Sequence, residues 1–212
     1  MKTIMERRGK YQIACYEVSI NSDMKERALS FANGIVLSDN QYSRLLPDNI
    51  RTSKDISMQQ KIEVQRTYMG KLGEMSFAMC LSEKGKQVDT DGMFEIYEGQ
   101  TNVDEFDFTT RDGKSVDVKT GFRPIHKRLM INIEQFNNIP KDYYVAVKLN
   151  ATDVNPWDKI VDWNNITTAT ILGYADHWYI EKHAAIYDFG EGRARWLWYD
   201  KLMGIENLIP LL

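Results

Sequence analysis

The chain has 212 residues, of which 43% are hydrophobic and 27% are charged, and its formal net charge is −3. These values exclude an intrinsically disordered chain and allow one α/β domain with a full core. The small negative charge argues against a protein that coats nucleic acid non-specifically, although a metal-dependent nuclease would need only a local basic rim.

The cysteine content and the hydropathy pattern are typical of a soluble protein of the cytoplasm. Two cysteines, Cys15 and Cys80, are too few for a disulfide framework. The first residues lack the apolar core of a signal peptide, and no apolar run reaches the roughly 18 residues that a membrane helix needs. We therefore expect a soluble, cytoplasmic protein with no membrane partner.

The first half of the chain is predicted to contain one strand, a helix, a loop-rich region and a second helix, in that order. Loose alternation of β-forming residues predicts a strand over residues 11–20. Ser22 or Asp23 is predicted to cap a helix that runs to about residue 33 and stops at Gly34. Residues 35–57 carry turn-forming residues and are predicted to be rich in loops. A long helical pattern then runs from about residue 56 to residue 84 and ends at Gly85.

The second half is richer in strands. We predict strands over residues 87–97, 103–109, 115–120, 143–149 and 168–175, a short helical or irregular piece over residues 131–137, and a closing helix near residues 200–208. This order of elements predicts the α/β class, with a central mixed β-sheet flanked by helices.

An Asp-x-Lys sequence occurs three times, and its context separates the three copies. The copy at Asp23 lies on a predicted surface helix, and the copy at Asp112 spans an Asp-Gly turn. Only Asp117 and Lys119 lie in a predicted strand, where alternation places both on the face opposite Val116 and Val118. Two charges on an interior strand need compensation, which a bound cation and a phosphate would supply. A nuclease is therefore the leading hypothesis.

Asp107 lies across the turn from this strand, and its side depends on the loop length. A loop of two or four residues would place Asp107 opposite Val118 on the other face. A loop of three or five residues, or a bulge, would place it opposite Lys119 on the charged face. The sequence leaves both cases open, so Asp104 and Glu105 are alternative ligands.

Glu74 is a third carboxylate in an unusual position. On a helix, Glu74 shares an apolar stripe with Gly70, Phe77, Ala78 and Leu81. Small residues at Gly70, Gly73 and Ala78 would allow the helix to approach the sheet closely. The alternatives are an ion pair of Glu74 with Lys71 or Lys119, or a slightly rotated helix that leaves Glu74 in solvent.

Taken together, these segments resemble a known nuclease superfamily. Gly-x-x-Gly-Glu-x-x-Phe-Ala-x-x-Leu from Gly70, then Phe-Asp-Phe around Asp107 and Val-Asp-Val-Lys-Thr around Asp117, is similar to the PD-(D/E)XK superfamily. The resemblance covers about residues 60–175. One departure is Phe106, which stands where the motif has proline before Asp107. The resemblance implies a restriction-endonuclease-like core.

The resemblance also implies a catalytic set. Asp107 and Asp117 would bind Mg²⁺, one ion or two, together with the backbone carbonyl of Val118, and Mn²⁺ would substitute. Glu74 would complete the site directly or through water, and Lys119 would orient or help deprotonate the attacking water. Mg²⁺ prefers hard oxygen ligands and lowers the pKa of water, which agrees with hydrolysis of a phosphodiester bond.

Basic residues that follow the lysine strand are candidate contacts to DNA. They are Arg123, His126, Lys127 and Arg128. Gln135 could touch the site or the DNA, or could be an ordinary polar position. Base reading would come from residues 35–57 or 121–138.

These observations predict one nuclease domain over residues 1–212. Residues 1–57 would form an N-terminal extension for DNA recognition or dimerisation, residues 58–180 the catalytic core, and residues 181–212 C-terminal strands or a helix. We expect a Mg²⁺-dependent DNA endonuclease, foremost a type II sequence-specific restriction enzyme that cuts double-stranded DNA as a homodimer. The alternatives are a phage or recombination nuclease and a DNA-binding protein with a degenerate nuclease fold.

Overall fold

The structure is a computed structural model that describes residues 1–37, 50, 52, 55–90, 92–95, 107–152, 155 and 158–212. The described residues form nine strands, in chain order β1 (Lys2–Arg8), β2 (Tyr11–Ser19), β3 (Phe108–Thr109), β4 (Ser115–Gly121), β5 (Arg128–Asn132), β6 (Tyr143–Ala151), β7 (Ile166–Asp176), β8 (Ala185–Asp188) and β9 (Arg193–Trp198). The α-helices described over their full length are α1 (Ser22–Val36), α2 (Ile56–Glu83), α3 (Ile133–Asn138) and α4 (His177–His183).

The strands form two sheets. The central sheet has the order β1-β2-β7-β6-β4-β3, and the small sheet has the order β5-β9-β8. Strands β4 and β6 are parallel, whereas the other neighbouring pairs of the central sheet are antiparallel. Helices α1 and α2 pack on the face that carries Val116, Val118 and Val145. The predicted fold class, a mixed sheet with flanking helices, is confirmed, with the small sheet as an additional layer.

The face of the central sheet opposite α1 and α2 has its own apolar core. Tyr144 and Ala146 of β6 pack there with Leu129 and Ile131 of β5 and Leu197 of β9. Because side chains alternate along a strand, β4 directs Val116 and Val118 towards α2, and Asp117 and Lys119 towards the side of the small sheet. Asp117 and Lys119 therefore lie on the face of the central sheet that the small sheet covers.

Several predicted elements agree with the structure. Strands occur where they were predicted at residues 11–20, 115–120, 143–149 and 168–175, and the short helix near residue 131 is α3. Helix α2 begins after Asp55, whose side chain accepts a hydrogen bond from the Met58 N–H at 3.0 Å. Gly85 follows the helix with φ +76°, as a helix stop requires.

Other predictions were wrong. Helix α1 passes through Gly34 to Val36, and its cap is Asn21, which accepts from the Met24 N–H. Among the described parts of residues 87–97 there is a 3₁₀ turn at Gly92–Phe94 and no strand. The closing segment forms 3₁₀ turns instead of an α-helix, at Tyr199–Lys201, Ile205–Asn207 and Ile209–Leu211. Asp104, Glu105 and most of residues 35–54 lie outside the described residues.

The two N-terminal strands belong to the central sheet. Strand β1, which was not predicted, pairs with β2, and β2 pairs with β7 through Tyr16 and Ile171. The first part of the predicted extension is therefore built into the same sheet as β4. None of the helices in the described residues combines the length and the apolar character that a bilayer crossing requires.

Gly73 allows α2 to lie directly on β4. A Cβ atom built at Gly73 would overlap the Thr120 hydroxyl and lie 3.0 Å from Thr120 Cβ. This close approach brings the helix segment that carries Glu74 to the strand that carries Asp117.

We therefore expect the Gly73→Ala variant to be destabilised by about 1–3 kcal/mol, because the added methyl group must push the helix away from the sheet. Thermal unfolding measures this loss. Gly92→Ala is the control, since a Cβ at Gly92 meets no atom of the described residues within 4 Å. Equal unfolding temperatures for the two variants would contradict the close packing.

Candidate active site

The hairpin between β3 and β4 sets the position of Asp107. Thr109 pairs with Ser115 and Phe108 with Val116, so the loop has the five residues 110–114. This is one of the loop lengths for which the sequence predicted Asp107 on the charged face. Asp107 itself precedes β3 and lies just outside this paired register. The Asp107 N–H donates to the Val116 carbonyl at 3.0 Å.

Asp107 is a half-buried residue whose carboxylate has two other acids nearby. Burial raises the pKa of Asp107 well above its usual value, and the nearby charges of Glu74 and Asp117 raise it further. The Val118 N–H, which donates to Asp107 Oδ2 at 2.6 Å, and the Lys119 ammonium oppose this rise in pKa. The three acids and the lysine selected from the sequence therefore interact at one place in the fold.

Asp117 and Lys119 form a close ion pair on β4. Asp117 is 8% exposed, and its Oδ2 lies 2.6 Å from Lys119 Nζ. The same oxygen accepts no well-directed hydrogen bond from the part of the chain that the structure describes. The Lys119 ammonium balances part of the charge of Asp117, and the carboxylate oxygens are also of the type that a divalent cation prefers.

Glu74 makes one of the ion pairs that the sequence allowed. Its Oε2 pairs with Lys71 Nζ one helical turn earlier. The Lys71 ammonium also lies 4.6 Å from the centre of the Phe31 ring, so this lysine is held in a buried position on α2. Glu74 is therefore close enough to Asp107 to raise its pKa, while its own charge is largely balanced by Lys71.

The oxygen atoms at this position suit a hard divalent cation. Asp107 and Asp117 supply carboxylates, and the Val118 carbonyl points to the same side of β4 as the Val118 N–H that binds Asp107. Within the described ranges, no group of three or more His, Cys, Asp or Glu side chains is arranged to hold a metal ion. Two carboxylates are nevertheless sufficient for Mg²⁺, which keeps several waters and takes further ligands from substrate phosphates.

Gln135 holds the lysine of this site. Lys119 Nζ donates to Gln135 Oε1 at 3.0 Å, across the gap between β4 and α3. Asn132 caps α3 by accepting from the Glu134 and Gln135 N–H groups, which fixes the start of the helix. Gln135 therefore contacts Lys119, one of the candidate residues; whether it also contacts DNA stays a prediction.

If the chain cleaves DNA, as the sequence predicts, the Gln135→Ala variant should have a kcat about tenfold lower with little change in KM, because Lys119 loses its hydrogen bond to Gln135. Gln135→Glu should restore the support and shift the pH profile, since a carboxylate partner favours the charged lysine. Cleavage assays over a range of pH measure both effects. Asn137→Ala, an exposed change on the same helix, is the control. A Gln135→Ala enzyme with wild-type kcat would remove Gln135 from the site.

Arg123 and His126 shape the turn after β4. The Arg123 guanidinium donates to the carbonyls of Asp158 and Lys159. His126 Nδ1 accepts from the N–H groups of Phe122 and Arg123 at 3.1 and 3.3 Å. Burial and neighbouring cations, chiefly Lys148, lower the pKa of His126 to about 3, so this imidazole is neutral at pH 7.

Lys127 and Arg128 have different surroundings. Lys127 is exposed, and its charge lies close enough to Lys148 to lower the pKa of that lysine. Arg128 pairs in register with Trp198, and its guanidinium lies 4.2 Å from the Trp198 ring and 4.7 Å from the Trp196 ring. It therefore shares the outer face of the small sheet, whereas Leu129 faces the central sheet.

Two features of the site were missed in the sequence. Lys148 and Tyr144 lie on β6 beside β4, because Gly121 pairs with Lys148 and Asp117 pairs with Tyr144. The apolar run over residues 143–149 indicated a buried strand, but no local signal shows which strand is its neighbour.

Comparison with known proteins found no matching family model, no matching curated protein and no matching solved structure.

Proposed function

We propose that this protein is a Mg²⁺-dependent nuclease that hydrolyses phosphodiester bonds in DNA, with a site of the PD-(D/E)XK type. The observation that supports the proposal best is the convergence of Asp107, Asp117 and Lys119 beside β3 and β4. Repelling carboxylates in a buried place are unfavourable unless a cation binds between them. Such perturbed groups cluster at functional sites more often than elsewhere.

The residues divide the chemistry between them. Asp107, Asp117 and the Val118 carbonyl would hold Mg²⁺, with Glu74 acting through water. When bound, the ion supplies positive charge to the phosphate and makes a nearby water more acidic. Lys119, which contacts Asp117 and Gln135, would orient the attacking water and stabilise the negative charge that develops on the phosphate. Water then attacks phosphorus, and the bond to the leaving oxygen breaks.

We propose further that the nuclease is an endonuclease that cuts duplex DNA at a specific sequence, as a type II restriction enzyme does. With one site in each chain, cutting both strands favours a homodimer. A nuclease of phage or recombination type would share the chemistry and differ in the DNA that it reads.

Incubation of the purified chain with MgCl₂ and either a supercoiled plasmid or the same plasmid linearised at one site tests the proposal. Discrete linear fragments support a sequence-specific endonuclease, and progressive loss of DNA from the ends supports an exonuclease. Both activities should disappear on chelation with EDTA and return with MnCl₂. No cleavage at any metal concentration, with DNA binding retained, would show instead that the fold serves DNA binding alone.

A further inference from the structure

Lys148 lies on the same face of the central sheet as the proposed catalytic residues. Along the parallel pair β4 and β6, Lys119 is level with Ala146 and Gly121 is level with Lys148. Paired residues of neighbouring strands share a face of the sheet. Lys148 therefore lies on the face that carries Lys119, two residues further along the strand direction. Two residues of a strand span about 6.6 Å.

The Lys148 side chain lies beside Gly121. A Cβ atom at Gly121 would be in ordinary contact with Lys148 Cδ, at 3.6 Å, whereas it would overlap the Tyr199 hydroxyl, at 2.5 Å, and lie 3.1 Å from His126 Cβ. The stem of Lys148 therefore packs beside the bare backbone of β4, and its ammonium donates to the Arg123 carbonyl. An ammonium has three N–H donors, and in the described residues Lys148 makes no hydrogen bond other than this one and no ion pair. The side chain is positioned, yet two of its donors have no acceptor among the described residues.

The surroundings of Lys148 are basic. Burial and the charge of Lys127 lower the pKa of Lys148 to about 8. The turn after β4 contributes Arg123, Lys127 and neutral His126, and the C-terminal turn contributes the Tyr199 hydroxyl near Gly121. From β7, Lys148 is opposite Thr170, which carries no charge. Arg66 of α2 is a further cation close to this turn, and it is bound to Glu191 at 2.5 and 2.7 Å.

We propose that Lys148, together with Lys127, binds a backbone phosphate of the DNA strand next to the phosphate that is cleaved. The proposal rests on the proposed nuclease function and adds a binding subsite to it. An anion at this place would satisfy the free donors of Lys148 and relieve the repulsion between the two lysines. The line from Lys119 to Lys148 then gives the direction in which the DNA strand crosses β4 and β6.

The first test is the salt dependence of DNA binding. Fluorescence anisotropy with a labelled 20-base-pair duplex in EDTA measures binding without cleavage. Lys148→Gln should weaken binding and lower the slope of log K against log salt by about one, the value for one lost phosphate contact. Lys148→Arg should keep the slope of the wild type. Lys2→Gln is the control, because it removes an exposed lysine from β1, at the far edge of the sheet.

The second test uses the pH dependence of binding. The free Lys148 loses its charge as pH rises through about 8, whereas a bound phosphate would keep the ammonium protonated. Between pH 7 and pH 9 the dissociation constant of the wild type should therefore rise by up to about tenfold. The same rise should be absent in Lys148→Arg, which keeps its charge, and in Lys148→Gln, which has none. Other groups that titrate in this range are common to all variants and cancel in the comparison.

The outcomes separate this inference from the proposed function. A wild-type chain that neither binds nor cuts the duplex would overturn the nuclease proposal and the subsite with it. A chain that cuts DNA, but in which Lys148→Gln has the salt slope and pH dependence of the Lys2→Gln control, would overturn the subsite alone. Thermal unfolding of each variant identifies loss of fold. If Lys148→Gln unfolds, the salt slope and the pH dependence of binding are compared between the wild type, Lys148→Met and Lys148→Arg instead. A pH dependence that persists in Lys148→Arg overturns the subsite.

Discussion

Replacing Asp117 with asparagine is expected to lower the rate of Mg²⁺-dependent DNA cleavage by about 10²–10³-fold or more. Asparagine has nearly the same shape but no charge, so the site loses one of the two carboxylates proposed to hold the cation. The fold should survive, because the variant loses an attraction to Lys119 and also a repulsion from Asp107. We expect the free energy of unfolding to change by about 1–3 kcal/mol, which leaves most of the stability of a typical domain.

Two measurements on purified Asp117→Asn check this expectation. A plasmid cleavage assay gives the rate, and thermal unfolding with and without MgCl₂ reports the stabilisation that a bound ion confers. Both the cleavage and the Mg²⁺-dependent rise in Tm should be lost. Asp112→Asn, an exposed change in the turn of the same hairpin, should keep both. Cleavage at the wild-type rate by Asp117→Asn would place the catalytic centre elsewhere.

Replacing Lys119 with glutamine should also reduce cleavage, by about 10²-fold, through a different loss. The variant keeps both aspartates and lacks the ammonium that lies between Asp117 and Gln135. Because the cation at Lys119 competes electrostatically with a metal ion, Lys119→Gln should bind Mg²⁺ at least as tightly as the wild type. Loss of catalysis with retained metal binding would be the signature of a lysine that acts on the reaction.

Single-turnover cleavage and Mg²⁺ titration by thermal unfolding measure the two properties of Lys119→Gln separately. Lys114→Gln, which removes an exposed lysine from the hairpin turn, is the matched control. If Lys119→Gln lost metal binding together with cleavage, the role of Lys119 would be structural, and the mechanism would need another residue to position the water.

A local sequence pattern predicts the face of a residue within a strand, but it does not predict how two strands are aligned. Strand alternation placed Asp117 and Lys119 on one face, since alternation is a property of the backbone that does not depend on neighbours. The face of Asp107 depended on loop length, which the sequence left open between even and odd values. Glu74 was expected on the side of α2 that meets the sheet, and the contact of Gly73 with Thr120 agrees with this orientation.

The errors also have physical causes. Glycine commonly ends a helix, but α1 continues through Gly34 because its buried face, including Ala32 and Ile35, is covered by the rest of the fold. Packing of an amphipathic face outweighs the helix propensity of one residue, which is about 1 kcal/mol. Strand β1 was missed because its side chains alternate little in polarity, and its pairing with β2 supplies the missing support.

By itself, the sequence determined the α/β class, most of the strands of the central sheet and the residue types of the candidate site, because these depend on periodicity and on charge within short segments. Only the tertiary structure decided which strands are neighbours. The parallel pairing of β4 with β6 brought Tyr144 and Lys148 beside Asp117 and Gly121, and the packing of α3 brought Gln135 to Lys119. Such contacts join residues far apart in the chain, and the energy that selects them comes from burial of whole faces, which no local spacing encodes.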